Sequence, residues 1–506
     1  MSAIKTRWST VPAAVAALVF LAGCGASGGD DGDAAASTLS VNYAGFPESW
    51  APGAEMEPGY MRVPYENLVS LNGSGEISPV LATDWEQTDT ELTLFLREGV
   101  VFHDGTPFNA EAVKTNLEYV RDGTGPYAGS LSVIDSIDVV DDHTVRLNLT
   151  ESAPSLLTTL STRAAPMASP QAIEDGSVAE HPVGTGPWSY DPDSSTTGTR
   201  MAFAFFDQYW DGADSVGFDT VELYGIEDAN TAVGALTSGE LDITTAEVDH
   251  LERVEGVEGV ESLTYPAIRN NLLFFDRGEG GVFEDANLRQ AVCYALEVPA
   301  LTEVIPDVTP RQQHFSEGES GYSADIPGYS HDLDQAQELY EEAGSPEVVV
   351  EMLAAPFNSD QMEVYGFQLA ELGMEVTVQT APPPQWFSAW SSGQYPMGVG
   401  SNDELTAYDW YNAWFAADAP GNPAGVESEE LRAAADAAIA AGTSEEADEL
   451  WAEVTRIIYD EALTCAHVAS EELILWQSQE VDGVGAPTQP WEPNLVDYKS
   501  LRPTEG

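Results

Sequence analysis

The stretch Leu94-Phe95-Leu96-Arg97-Glu98-Gly99-Val100-Val101-Phe102-His103-Asp104-Gly105-Thr106-Pro107-Phe108-Asn109 constrains the fold more than any other part of the chain. Leu94 and Leu96 alternate with Thr93 and Phe95, the period-2 pattern of a half-buried strand. Glu98-Gly99 and Asp104-Gly105 are turn dipeptides, since glycine reaches positive φ without a Cβ clash. Asn109 can cap a following helix, with Glu111 in its first turn. Val113, Leu117 and Val120 then fall on one helical face. The expectation is strand, turn, second turn and helix in close succession.

With Pro79-Val80-Leu81-Ala82-Thr83-Asp84-Trp85-Glu86 before it, this wording resembles the signature region of the family 5 extracellular solute-binding proteins. These are the peptide- and nickel-type receptors of ABC importers. Further elements carry the same resemblance: Tyr65-Glu66-Asn67-Leu68, the turn Asp141-Asp142-His143, the loop His181-Pro182-Val183-Gly184-Thr185-Gly186-Pro187-Trp188, and Asp207-Gln208-Tyr209-Trp210. The resemblance implies an α/β, two-lobed periplasmic-binding-protein-like fold (type II, cluster C) with an extra inserted subdomain. Residues 38–75, 182–262 and 478–506 would form the first lobe, 76–181 the inserted unit and 263–477 the second lobe. It also implies capture of a small solute, most plausibly an oligopeptide or dipeptide, in the cleft between lobes and delivery to ABC permease subunits. No catalysis and no cofactor are required of the chain, and a monomer is expected.

The amino terminus reads separately. Lys5 and Arg7 precede an apolar run over 11–22, too short to span a bilayer core of roughly 30 Å. It fits a secretory signal over 1–23. Leu21-Ala22-Gly23-Cys24 is similar to a bacterial lipobox, which implies cleavage before Cys24 and a lipid on its sulfur. Residues 24–37, rich in Gly, Ala, Ser and Asp, would be a flexible tether. The expected location is the outer face of the cytoplasmic membrane, with a soluble body beyond the anchor.

Charge excludes whole classes of partner. The chain carries 85 acidic and 18 basic residues, a net charge of −67. Phosphate backbones need clustered Lys and Arg, so nucleic acid is not a partner. The acids run through the full length, which suits a high-salt medium that screens their repulsion. A cationic or zwitterionic solute is favoured over a strongly anionic one. Of the three cysteines, Cys293 and Cys465 remain after Cys24. Export permits a disulfide, but each lies in an apolar run, and two separate buried thiols are the favoured expectation.

No H-E-x-x-H, C-x-x-C or phosphate-loop motif is present, so neither a local zinc site nor an ATPase is indicated. His103 and His143 sit in scaffold turns. The informative region is 382–415, which holds a third of the 12 tryptophans. Aromatic rings suit a cleft wall, and equally a core. Trp386, Trp390, Tyr408 and Trp410 are candidate ligand contacts here, joined by Phe46 and Trp50 at the end of the first strand. In the peptide receptors of this family, an aspartate in a "W-x-x-D-Y-x-D-P" segment takes the peptide's α-ammonium group. Asp403 and Asp409 roughly match that place, although the tryptophan and proline are missing. A nickel-chelate or oligosaccharide receptor on the same scaffold is the alternative, as is a secreted hydrolase with an aromatic cleft.

Overall fold

The computed structural model describes residues 37–504, apart from 43–45, 48, 55–58, 72–76, 124, 126, 163, 306–307, 318, 327, 356–357, 403, 405, 442–443 and 486–495. The signal, Cys24, most of the tether and Asp403 therefore lie outside the described residues. One 11-stranded mixed sheet runs through the molecule. At one end, Thr38–Asn42 pairs in parallel with Thr220–Tyr224 and with Ile243–Ala246. Beyond Thr220–Tyr224, Arg200–Phe205 and Trp188–Thr196 add antiparallel strands to that edge. At the other end, Glu375–Thr380, Val349–Ala354 and Met397–Asn402 run in parallel. Strands joined by crossover helices, such as Ala229–Ser238 and Ser359–Leu369, account for the parallel pairs.

Two long strands, Val260–Phe275 and Thr464–Gln477, connect the two ends. They pair antiparallel along most of their length, with register shifts between Pro266 and Asn270 and between Asn271 and Leu273. Before the first shift their neighbours belong to the amino-terminal half; after it, Asn270–Phe275 pairs with Met397–Asn402. This gives a two-lobed α/β fold, as expected from sequence, with these two strands crossing between its ends. The Leu272–Phe275 segment shows why the second lobe needs helices on both sheet faces. Leu273 and Phe275 point into one apolar cluster, Leu272 and Phe274 into another.

The inserted unit is a four-stranded antiparallel sheet ordered Ala82–Gln87, Glu91–Leu96, Thr144–Leu149, Ile134–Asp141. Its core buries Leu92, Leu94 and Leu96 against Val113, Leu117 and Val120 of the helix Ala110–Arg121. Asn109 caps that helix by accepting from the Ala112 amide at 3.0 Å. The strand, turn and helix of the signature stretch thus form as its pattern requires.

Cys293 and Cys465 form a disulfide, with Cα atoms 5.8 Å apart. This corrects the expectation of two separate thiols. Both residues are buried in the same apolar cluster, one on the helix Ala286–Ala295 and the other on the crossing strand Thr464–Gln477. An apolar environment marks a free thiol and a bonded pair alike, so local sequence could not distinguish them.

Candidate functional site

The sequence motifs meet at a buried joint between the first lobe and the inserted unit. Glu66 is its centre. Its carboxylate accepts from Tyr209 Oη at 2.7 Å, Trp210 Nε1 at 2.9 Å and Thr185 Oγ1 at 3.2 Å. Lys499 Nζ lies 4.0 Å away. Burial raises the Glu66 pKa above the ordinary carboxylate range, with those hydrogen bonds and Lys499 acting against it. The Arg97 guanidinium stacks 3.9 Å from the Trp210 ring centre. His103 places Nε2 2.9 Å from the Gly186 carbonyl, and its Nδ1 accepts from the Gly184 amide at 3.3 Å. Burial holds the imidazole neutral, with its pKa pushed down to about 4. The loop that carries Gly184 and Gly186 packs on the backbone of residues 63–64. A Cβ added at Gly184 would lie 1.9 Å from the Pro64 carbonyl oxygen. Polar groups matched this closely fasten two units together, and Glu66 and Lys499 also line a cavity of about 320 Å³ beside the joint.

A larger cavity lies elsewhere. A cavity of about 760 Å³ opens between the inserted unit and the second lobe. That is within the usual range for small-molecule sites. One wall is built from Ser130, Ser132, Ser152, Ser155, Thr158 and Thr159; Glu404, Tyr408, Asp409 and Asn412 face them. The helix Ala407–Trp414 presents this second wall. Its cap, Thr406, accepts from the Asp409 amide at 3.1 Å and donates to Asp409 Oδ2 at 2.6 Å. The other Asp409 oxygen accepts from Ser155 Oγ at 2.9 Å, across the cavity. Burial raises the Asp409 pKa, opposed by these two hydroxyls. Tyr408 Oη reaches the Ser152 carbonyl at 3.4 Å. Glu151 and Asp418 stand at the rim, both exposed.

Of the residues singled out from sequence, Tyr408 and Asp409 line this cavity. Trp410 does not: fully buried, it stacks on His314 at 4.7 Å and donates to Asn402 Oδ1 at 3.0 Å. Trp386 and Trp390 stack on each other at 6.0 Å inside the second-lobe aromatic cluster, 6% and 1% exposed. Trp50 is buried in the first-lobe core against Phe203, and its carbonyl accepts from Tyr65 Oη at 2.9 Å. Phe46 is half-buried beside Tyr60 and Gly225, away from the cavity. Sequence reasoning missed the serine- and threonine-rich segment 151–162. Its repeated hydroxyls, Ser152, Ser155, Thr158, Thr159 and Thr162, were the available signal.

Behind the helix Ala407–Trp414 lies a buried polar group that steadies it. His314 approaches the Glu404 carbonyl through Nε2 at 3.0 Å, and its pKa is pushed down to about 4 by burial. Arg311 donates to Asn270 Oδ1 at 3.2 Å and to Ser316 Oγ at 2.8 Å. These contacts tie the cavity wall to the strand that crosses between lobes.

Comparison with known proteins gives this geometry a setting. The model of bacterial extracellular solute-binding proteins, family 5, matches residues 76–422. The probable D,D-dipeptide-binding periplasmic protein DdpA of Escherichia coli K12 is 25% identical over 475 residues, covering 88% of this chain and 90% of DdpA. The glutathione-binding protein GsiB of Escherichia coli O1:K1 is 28% identical over 328 residues, covering 62% of this chain and 63% of GsiB. Among solved structures, HbpA2 of Haemophilus parasuis superposes with a TM-score of 0.81 at 19% identity, covering 92% of this chain and all of that one. The family match takes in the whole inserted unit, both walls of the cavity and most of the second lobe, and the chain belongs to the bacterial extracellular solute-binding proteins of family 5.

Proposed function

We propose that this substrate-binding protein of an ABC importer is a lipid-anchored peptide receptor. It captures a short peptide through a positively charged amino group and hands it unaltered to the permease subunits. The cavity between the inserted unit and the second lobe supports this reading most directly. It is hydroxyl-rich, and its wall carries a half-buried carboxylate, Asp409, able to take an ammonium group in a charge-assisted hydrogen bond. The dipeptide named for DdpA and the glutathione named for GsiB support a peptide-like solute. Closure would bend the two crossing strands near 266–271 and 465–471, where their register shifts. Membrane attachment would pass through Cys24, with residues 25–37 as the tether.

Isothermal titration with a mixture of di- and tripeptides, then with sugars, then with nickel, tests the substrate. Peptide binding with no turnover of any ligand is expected. Binding of sugar or nickel alone would overturn the peptide reading, and conversion of any solute would overturn the receptor reading. The anchor is tested by expressing Cys24→Ser in a bacterial host: loss of the protein from the membrane fraction is expected, and its retention there would contradict lipidation.

A further inference from the structure

We infer that this cavity selects a solute bearing positive charge and no free carboxylate, such as an amidated peptide or a polyamine, over an ordinary zwitterionic peptide. The inference rests on the reading that the cavity holds the transported solute. A zwitterion has two ends, and each needs a partner once water is excluded. The cation's partner is present. Asp409 is half-buried, and its carboxylate is oriented by one hydroxyl from each wall, Thr406 and Ser155. Glu404 lies on the same wall, its Oε1 accepting from Trp414 Nε1 at 2.9 Å. Four acids in the lining are close to what so acidic a chain would place in any patch of this size. The two-sided orientation of Asp409 is not compositional.

Among the described residues of the lining, an anion has no charged partner. Among the described residues lining the cavity there is no Lys, Arg or His. Arg311, behind that wall, already donates to Asn270, Ser316 and the His314 carbonyl. The rest of the lining is dominated by serine and threonine hydroxyls, with Tyr127, Tyr408 and Asn412. Such groups satisfy amides, hydroxyls and amines without supplying positive charge. A carboxylate placed here would face Asp409 and Glu404 at short range, in a molecule of net charge −67. Arg163, which follows the lining residue Thr162, lies outside the described residues, and the test addresses it directly.

Calorimetric titration of the full chain with trialanine, trialanine amide and spermidine, at one pH and one salt concentration, decides the matter. Trialanine amide is expected to bind at least tenfold more tightly than trialanine. Equal or tighter binding of the free acid would overturn the inference while leaving a peptide receptor standing. Spermidine binding with neither peptide would support the charge class and remove the peptide reading. Silence from all three would overturn the inference. Glu404→Gln, checked for an unchanged melting curve, should narrow the amide preference by several-fold; an unaltered ratio counts against it. If Arg163→Gln lowers trialanine affinity tenfold or more and leaves the amide unchanged, a carboxylate partner exists and the inference fails.

Discussion

Asp409 is held by Thr406 from its own helix cap and by Ser155 from the facing unit, so its charge is oriented before any ligand arrives. Replacing Asp409 with Ala should weaken binding of an amine-bearing solute by about 2 kcal/mol or more, the usual contribution of a hydrogen bond to a charged group. Calorimetric affinities of wild type and variant check this, and equal affinities would remove Asp409 from the site. Trp386, Trp390 and Trp410 teach the opposite lesson. A sequence shows how densely rings occur in 382–415, but not which side of a sheet a helix will cover. The helices Pro383–Ser391 and Ala407–Trp414 turn these indoles onto the sheet face beside Phe274. The neighbouring Tyr408 and Asp409 are left for the cavity. One helix therefore supplied a core residue and two wall residues within three positions, a split that ring counting cannot resolve.

The elements that were legible were those with a strict period or a cap. The helix Ala110–Arg121 follows Asn109, whose side chain accepts from the Ala112 amide at 3.0 Å. Less legible was the pairing of distant segments, because nothing local encodes it. The disulfide joins Ala286–Ala295 to the crossing strand across a separation of 172 residues. Closing so long a loop in the unfolded chain contributes roughly 5 kcal/mol in the chain-entropy picture. Cys293→Ser with Cys465→Ser should therefore lower the melting temperature by several degrees under oxidising conditions, read by circular dichroism; an unshifted midpoint would deny the bond a stabilising role. Two imidazoles, the half-buried His103 and the buried His314, add a pH dependence. Each has its pKa pushed down from 6.5 to about 4, so between those values the unfolded chain binds more protons than the folded one. Their contribution is fully present above pH 6.5 and is lost as pH falls toward 4. Denaturant midpoints measured at pH 7 and pH 4.5 should decline accordingly, and His103→Gln, if it folds, should show a shallower decline.

At the scale of the whole molecule, composition sets the charge and is silent about geometry. Net charge of −67 on a 506-residue chain means that like charges repel across every surface at low ionic strength. Raising salt shortens the screening length from about 10 Å at 0.1 M to about 3 Å at 1 M. The melting temperature should rise markedly from 0.1 M to 2 M NaCl; full stability in dilute buffer would detach the acidity from a saline habitat. The two-lobed architecture was foreseeable because the signature stretch, Tyr65-Glu66-Asn67-Leu68 and the loop from His181 to Trp188 carry one family resemblance. The crossing strands Val260–Phe275 and Thr464–Gln477 could be placed only by their pairing. They carry the central claim, that two halves close over a solute which leaves unchanged. Small-angle X-ray scattering of the chain with and without a solute that binds in calorimetry tests this most directly. A smaller radius of gyration with bound solute is the expected result; superimposable scattering curves at saturation would contradict closure.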